Sequence, residues 1–142
     1  MSNISTSSNS VVDQEQLFTD LTPEEGSVIE GGATLWLYSA TAIQANADFG
    51  SRNGDDVYAR INGYKTNKTN DVDAGEAVTF NIDRYFSGTA SINFFDSDGG
   101  LFTGSDEYLG GFTVGSTPTN GTVTTRISGS GSIYDVVYAV YA

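Results

Sequence analysis

Two short segments of this chain, 48–56 and 96–106, combine closely spaced carboxylates with glycine and lie between β-prone runs. Their candidate ligands for a cation are Asp48, Asp55, Asp56, Asp96, Asp98 and Asp106. If both segments lie at one end of the fold, these side chains converge. Each pair of like charges about 4 Å apart then costs about 1 kcal/mol in water and about 4 kcal/mol at an effective dielectric of 20. A divalent cation bound between the carboxylates relieves that repulsion.

Calcium is the ion that this donor set matches. It accepts six to eight oxygen ligands in flexible geometry, whereas magnesium requires a near-regular octahedron. Softer metals prefer imidazole or thiolate ligands, and the chain has no His and no Cys. A lone Asp in a turn has a purely conformational explanation, but the pattern Asp96-x-Asp98 together with a second acidic segment indicates a calcium site. An EF-hand loop from Asp96 to Glu107 is excluded because Leu101 stands where that loop requires glycine.

The composition excludes several function classes. A chain without His or Cys has no imidazole base and no thiol nucleophile, and 110 residues (33–142) leave little room for a deep cleft, so we expect no enzymatic activity. The chain has 18 acidic and 6 basic residues, a net charge of −12, which is the wrong sign for binding nucleic acid through phosphates. No apolar run approaches the roughly 20 residues of a membrane-spanning helix, and no basic-then-apolar secretory signal begins the chain.

From Ala33 onward, polar residues and glycine separate short runs with a period of two, which predicts strands. The predicted strands are 34–44, 55–62, 77–83, 89–95, 107–114, 121–128 and 132–141, with a short edge strand around 63–68. No run between them is long enough for a helix, so the pattern predicts an all-β, antiparallel Greek-key sandwich of seven to eight strands. Such a sandwich gathers its loops at its two ends, where the acidic segments would lie.

The first 32 residues differ from the rest, with six acidic residues and no Lys or Arg. Residues 1–12 are predicted to be disordered because they offer little apolar surface to bury. Apolar residues then recur at steps of three and four, which predicts a short amphipathic helix over about 13–30. The pair Gly31-Gly32 ends that helix, and the chain divides into a segment 1–32 and a domain 33–142.

The order of several motifs resembles that of C2 domains. These motifs are Leu35-Trp36-Leu37-Tyr38, Gly54-Asp55-Asp56-Val57-Tyr58, Lys65-Thr66, Gly75 to Ile82, Phe95-Asp96-Ser97-Asp98 and Asp106-Glu107-Tyr108-Leu109-Gly110. The resemblance implies an eight-stranded sandwich that binds calcium at one tip. It carries the ligand role to Asp48, Asp56, Asp96, Asp98 and Asp106, with Asp55 as a substitute for a neighbour. Val57 replaces the proline of that family, and its polybasic groove has no clear counterpart here.

The segment before the sandwich resembles the double-glycine leader of bacterial peptides exported by peptidase-containing ABC transporters. Leu21, Glu25 and Ile29 match the recognition positions of such leaders, and Gly31-Gly32 matches the cleavage site. The resemblance implies a transporter as partner, cleavage after Gly32 and a secreted, extracellular bacterial product. A plain helix ended by a C-cap glycine is the alternative interpretation.

Together these interpretations predict a secreted, non-enzymatic calcium-binding module in extracellular matrix, cell-surface adhesion or biofilm. The alternatives are a calcium-dependent module for a glycan or a lipid headgroup and, less favoured, a bacteriocin-like product. Aromatic residues for sugar binding are Trp36, Tyr38, Tyr58, Tyr64, Tyr85, Tyr134, Tyr138 and Tyr141, and apolar loop tips for membrane contact are Phe49, Leu101 and Phe102. The strands of 113–142 carry few charges, so self-association through their edges is a further prediction.

Overall fold

Nine β-strands make up the described part of the computed structural model, which comprises residues 31–48, 54–99 and 104–142. In chain order they are β1 Ala33–Gln44, β2 Asp55–Ile61, β3 Tyr64–Lys65, β4 Thr69–Val72, β5 Ala77–Phe86, β6 Thr89–Asp96, β7 Glu107–Gly115, β8 Val123–Gly129 and β9 Ser132–Tyr141. These residues contain no helix, and accordingly no helix among them is long and apolar enough to cross a membrane.

The strands form two antiparallel sheets. Sheet A has the strand order β5-β1-β9-β8, and sheet B has the order β3-β2-β6-β7 with β4 also paired to β2. The predicted all-β sandwich class is confirmed. The predicted edge strand at 63–68 is instead the pair β3 and β4. Three of the four β4 residues are exposed, so no alternation of burial marks β4 in the sequence.

A shift in the alternation of β1 explains why this strand carries a bulge. Its buried positions are Ala33, Leu35 and Leu37 in the first half and Ala40 and Ala42 in the second. Side chains of a regular strand alternate between its two faces. The odd-numbered positions of the first half of β1 and the even-numbered positions of the second half can therefore face the same core only if the strand contains one extra residue between them. The register with both neighbouring strands shifts between Leu37 and Ser39, and this bulge keeps both halves of β1 on the core.

Tight turns join two of the strand pairs. Asn62 and Gly63, between β2 and β3, have φ of 46° and 86°, and Ser130 and Gly131, between β8 and β9, have φ of 48° and 84°. Two residues with positive φ form the hairpin turn whose twist matches that of the strands. These turns fix the strand register at the end of the sandwich where each lies.

Pairing within sheet B brings the acidic segments to one end of the sandwich. Asp96, the last residue of β6, pairs with Val57 near the start of β2 and with Glu107 at the start of β7. The segment that follows β1 lies there too, because the amide of Ala47 donates a hydrogen bond to a carboxylate oxygen of Asp55 over 3.0 Å. We call this end of the sandwich the acidic end.

The predictions for residues 1–30, which include the disordered start, the helix and the recognition residues Leu21, Glu25 and Ile29, lie outside the described residues. The apolar loop tips Phe49, Leu101 and Phe102 also lie outside them. Gly31 and Gly32 are described and directly precede β1.

Replacing Leu35 tests the assignment of the core. Leu35 has no exposed surface, so Leu35→Ala is expected to lower the free energy of unfolding by about 2–5 kcal/mol, since it removes buried surface and leaves a cavity. Chemical denaturation measures this change. The control is Ile43→Ala on the same strand, where the side chain is 46% exposed; an equal loss in both variants would contradict the assignment.

Candidate metal centre

Three aspartates converge at the acidic end. One carboxylate oxygen each from Asp48, Asp96 and Asp98 lies within 4.8 Å of the other two. Asp96 is fully buried, whereas Asp48 and Asp98 are half-buried. Two different segments therefore contribute to one cluster, as the prediction of converging acidic loops requires.

Asp96 is the central residue of this cluster. Its Oδ1 accepts a hydrogen bond from the amide of Asp56 over 2.5 Å, whereas its Oδ2 is shielded from solvent and has no hydrogen-bond partner within residues 31–48, 54–99 and 104–142. Burial is the largest cause that raises the pKa of Asp96 from 3.8 to about 7, and the negative charges of Asp48, Asp55 and Asp98 also raise it. The hydrogen bond from the Asp56 amide acts in the opposite direction. A buried carboxylate oxygen without a partner carries a large desolvation cost, which a cation would remove.

Glu107 is a candidate ligand that was not assigned from the sequence. It is the β7 partner of Asp96, and directly paired residues of antiparallel strands present their side chains on the same face. Its Oε2 is shielded from solvent and has no hydrogen-bond partner in the part of the chain that the structure describes. Burial and then the charges of Asp98, Asp48 and Asp55 raise the pKa of Glu107. The alternation of Glu107 with the buried Leu109 is the signal that could have identified it.

Asp106, which was also predicted as a ligand, does not face the cluster. The hydroxyl of Tyr58 donates a hydrogen bond to its Oδ2, and Asp106 is absent from the cluster of three described above. Tyr58 alternates with the core-facing residues Val57 and Ala59, so the structure places Asp106 toward the outer face of sheet B. Burial, followed by the bond to Asp106, raises the pKa of Tyr58.

Asp55 lies beside the cluster, but both of its oxygens are in use. Oδ1 accepts the amide of Ala47 over 3.0 Å, and Oδ2 accepts the hydroxyl of Tyr134 on β9 over 2.7 Å. Asp55 and Tyr134 are both buried. Asp55 thus connects the segment that carries Asp48 with the opposite sheet, and its geometry suits the positioning of a ligand better than direct coordination.

Asp56 supports the cluster mainly through its backbone. Its carboxylate forms an ion pair with Lys68 at 2.7 Å and accepts a hydrogen bond from the amide of Asp71 over 2.9 Å. The carboxylate of Asp71 in turn accepts a hydrogen bond from the amide of Gly54 over 2.9 Å. A Cβ on Gly54 would lie 2.7 Å from backbone atoms of Val72, so glycine permits this close approach of β4 to β2. These contacts orient the Asp56 amide toward Asp96.

The dimensions of the cluster fit one calcium ion. Calcium binds oxygen at about 2.3–2.6 Å, so two oxygens on opposite sides of the ion are separated by roughly 5 Å. The observed separations of up to 4.8 Å lie within that limit. The shielded Oε2 of Glu107, which lies outside this group of three, is a neighbouring acceptor without a donor among the described residues. Asp48, Asp96 and Asp98 are therefore the residues that could hold the ion, with Glu107 as an adjacent carboxylate.

The fold is similar to that of C2 domains of known structure. One C2 domain of a plant extended synaptotagmin 1 has a TM-score of 0.52 at 12% identity, over 78% of this chain and 94% of that chain. Another C2 domain has a TM-score of 0.51 at 14% identity, over 78% of this chain and 98% of that chain. Human GIVD cytosolic phospholipase A2 has a TM-score of 0.50 at 13% identity, over 77% of this chain and 17% of that chain. The described domain thus has a C2-like fold.

No family model matches the sequence, and no curated protein matches it either.

The raised pKa of Asp96 predicts how the stability of the calcium-free protein depends on pH. Because the folded state binds this proton more tightly than the unfolded state, the stabilisation is present at low pH and is lost as pH rises from about 4 to about 7. A shift of three pKa units corresponds to at most about 4 kcal/mol. Thermal unfolding of the chain, freed of calcium beforehand and kept in calcium-free buffer at pH 5 and pH 8, measures it.

The control for this prediction is Asp96→Asn, which removes the titrating group. The variant is expected to have a flatter stability profile between pH 5 and pH 8 than the unchanged chain. Equal slopes for the two proteins would contradict the assignment of the pH dependence to Asp96.

Proposed function

Starting from this C2-like fold, we propose that the protein is a non-enzymatic module that binds calcium at the acidic end. The observation that carries the proposal is the fully buried Asp96, whose Oδ2 has no hydrogen-bond partner among the described residues, while carboxylate oxygens of Asp48 and Asp98 lie within 4.8 Å. A hard divalent cation is the partner that the surroundings of this oxygen suit.

Calcium binding would act first on stability. An ion that binds only the folded state stabilises it by an amount that grows with the ratio of ion concentration to dissociation constant, about 2.7 kcal/mol at a hundredfold excess. Calcium sites of extracellular modules have dissociation constants of about 10⁻⁴–10⁻³ M. A site of this affinity would be filled at millimolar calcium and largely empty when calcium is scarce.

The proposed setting is extracellular. The similarity of residues 21–32 to a double-glycine leader supports export through a peptidase-containing ABC transporter, with a mature chain that begins at Ala33. The position of the glycine pair also agrees with this proposal, because β1 begins at Ala33 and cleavage after Gly32 would leave every described strand whole. A role in matrix, adhesion or biofilm, with self-association through strand edges, follows from export and calcium dependence.

Replacement of single carboxylates tests the calcium site. Asp98→Asn is expected to weaken calcium binding at least about tenfold, because affinity depends on the number of charged ligands. Glu107→Gln is expected to weaken it as well. Isothermal titration calorimetry of the full chain measures both effects.

Asp106→Asn is the matched control, since it removes the same charge from the same segment but its carboxylate contacts Tyr58. The calcium affinity of this variant is expected to change by less than about threefold, because Asp106 would act on the ion only through a long-range interaction that salt screens. If Asp106→Asn abolishes binding while Asp98→Asn preserves it, the proposed ligand set is wrong. If the unchanged chain shows neither binding nor a rise in melting temperature with calcium, the proposed function is wrong.

Substitution at Gly31 tests the leader separately from the fold. An added Cβ on Gly31 would meet nothing within 4 Å, so Gly31→Ala is expected to leave the stability of the sandwich unchanged but to block removal of the leader. A cleavage cleft that admits only glycine cannot accept the added methyl group. Mass spectrometry of secreted and cell-associated protein reads out the processing.

The comparison with Gly32 shows why Gly31 is the better site. A Cβ on Gly32 would lie 1.8 Å from the hydroxyl oxygen of Tyr85, so Gly32→Ala changes packing and processing together. The leader proposal predicts a secreted mass that begins at Ala33 for the unchanged chain and none for Gly31→Ala. Efficient secretion of a processed Gly31→Ala chain would contradict it.

A further inference from the structure

A hollow opens on the side of the sandwich where β5, an edge of sheet A, faces β3 and β4 of sheet B. Its volume is about 130 Å³. Its floor consists of Phe80 and Ile82, which are half-buried and packed against the core, and the edge of the Phe80 ring meets the core residue Phe94 at a centroid distance of 5.9 Å. The floor is therefore a fixed apolar surface rather than a mobile side chain.

The wall of the hollow is an aromatic ring held in place. Tyr64 lines the hollow, is 46% exposed and has the guanidinium carbon of Arg84 3.3 Å from its ring centroid. A cation over the face of a tyrosine is an attractive contact, and it joins β3 to β5 across the two sheets. The orientation of Tyr64 is thus set before any ligand arrives, which lowers the cost of binding.

The rim supplies neutral hydrogen-bonding groups. Asn67 and Thr69 line the hollow and are exposed, so an amide and a hydroxyl are available to a ligand. Thr69 is the β4 partner of the core residue Val57, so its side chain lies on the inner face of sheet B. Within the lining no side chain carries a charge at neutral pH. Two of the three nearby cations are engaged away from the hollow, because Lys65 lies 3.8 Å from the Tyr58 ring centroid and Lys68 pairs with Asp56. The third, Arg84, lies against the Tyr64 ring, and its Nε is shielded from solvent.

We propose that this hollow binds one neutral hexose ring, such as the terminal unit of a glycan. An apolar floor, an aromatic wall and uncharged donors and acceptors together match a sugar, which presents a face of CH groups and a rim of hydroxyls. At about 30 Å³ per water molecule the volume holds roughly four waters, so the hollow takes up part of a single ring and leaves the rest of that ring and of a glycan in solvent.

Sugar binding in the hollow does not require the calcium ion. None of the carboxylates of the acidic end lines the hollow, so the sugar would contact protein groups and not the metal. This proposal therefore goes beyond the calcium function, and the two can fail independently.

The test is an NMR titration of the ¹⁵N-labelled full chain in EGTA with glucose, galactose, mannose and N-acetylglucosamine. A single ring at ordinary ligand efficiency has a dissociation constant on the order of a few millimolar. At least one of these sugars is expected to give saturable amide shifts confined to 64–69 and 79–82. The absence of shifts for all four sugars up to about 50 mM, tenfold above that constant, or shifts elsewhere, would overturn the proposal.

Three variants assign the contact. Tyr64→Ala is expected to weaken binding at least about tenfold through loss of the aromatic wall, and Thr69→Val, which keeps the shape of the side chain, to weaken it about three- to tenfold through loss of one hydrogen bond. Tyr85→Ala is the matched control, because Tyr85 is a 73% exposed tyrosine of β5 outside the hollow. Equal losses in Tyr64→Ala and Tyr85→Ala, or full binding by folded Tyr64→Ala and Thr69→Val, would overturn the proposal.

Asp96→Asn separates the two proposals. The variant is expected to lose calcium binding and to keep the sugar shifts at 64–69 and 79–82. Loss of sugar binding in the folded variant would place the sugar at the acidic end and overturn the proposal for the hollow. Sugar shifts in an unchanged chain that binds no calcium would refute the calcium function and leave the hollow supported.

Discussion

The acidic end depends on one physical interaction, the repulsion between carboxylates that are partly shielded from water. Asp48, Asp96 and Asp98 hold oxygens within 4.8 Å of each other, and the fully buried Asp96 has a pKa raised to about 7 by burial and by these neighbours. The strands oppose this repulsion by fixing the positions of the ligands. An ion or a proton would relieve it, so under the proposed function calcium and acid would be alternative stabilisers of the same carboxylate.

Adjacent acidic residues make different contacts because strand geometry directs their side chains to opposite faces of the sheet. Asp55 and Asp56 are adjacent, but Asp55 bonds to Tyr134 inside the sandwich, whereas Asp56 pairs with the exposed Lys68. Asp106 and Glu107 are separated in the same way, since one meets Tyr58 and the other is the partner of Asp96. The number of carboxylates in a segment therefore overstates the number that face an ion.

Much of the fold could be predicted from the sequence because alternation and turn residues are local signals. The strand boundaries of β1, β2, β6, β7 and β9 agree with the prediction to within one residue. The bulge in β1 and the short strand β4 were not predicted, since both depend on pairing with distant residues. The clustering of Asp48, Asp96 and Asp98 agrees with the predicted convergence, but the position of Glu107 follows from its cross-strand register with Asp96, which one sequence does not display.

The link between Asp55 and the amide of Ala47 has a consequence for the choice of ion. The residue before Asp48 is tied to a carboxylate that is itself tied to β9, so the backbone leading to Asp48 has little freedom to contract. Asp96 is similarly restrained by the amide of Asp56. In the proposed site, oxygens restrained in this way would approach an ion of smaller radius less readily, so discrimination between divalent ions would depend on these backbone attachments as well as on the carboxylates.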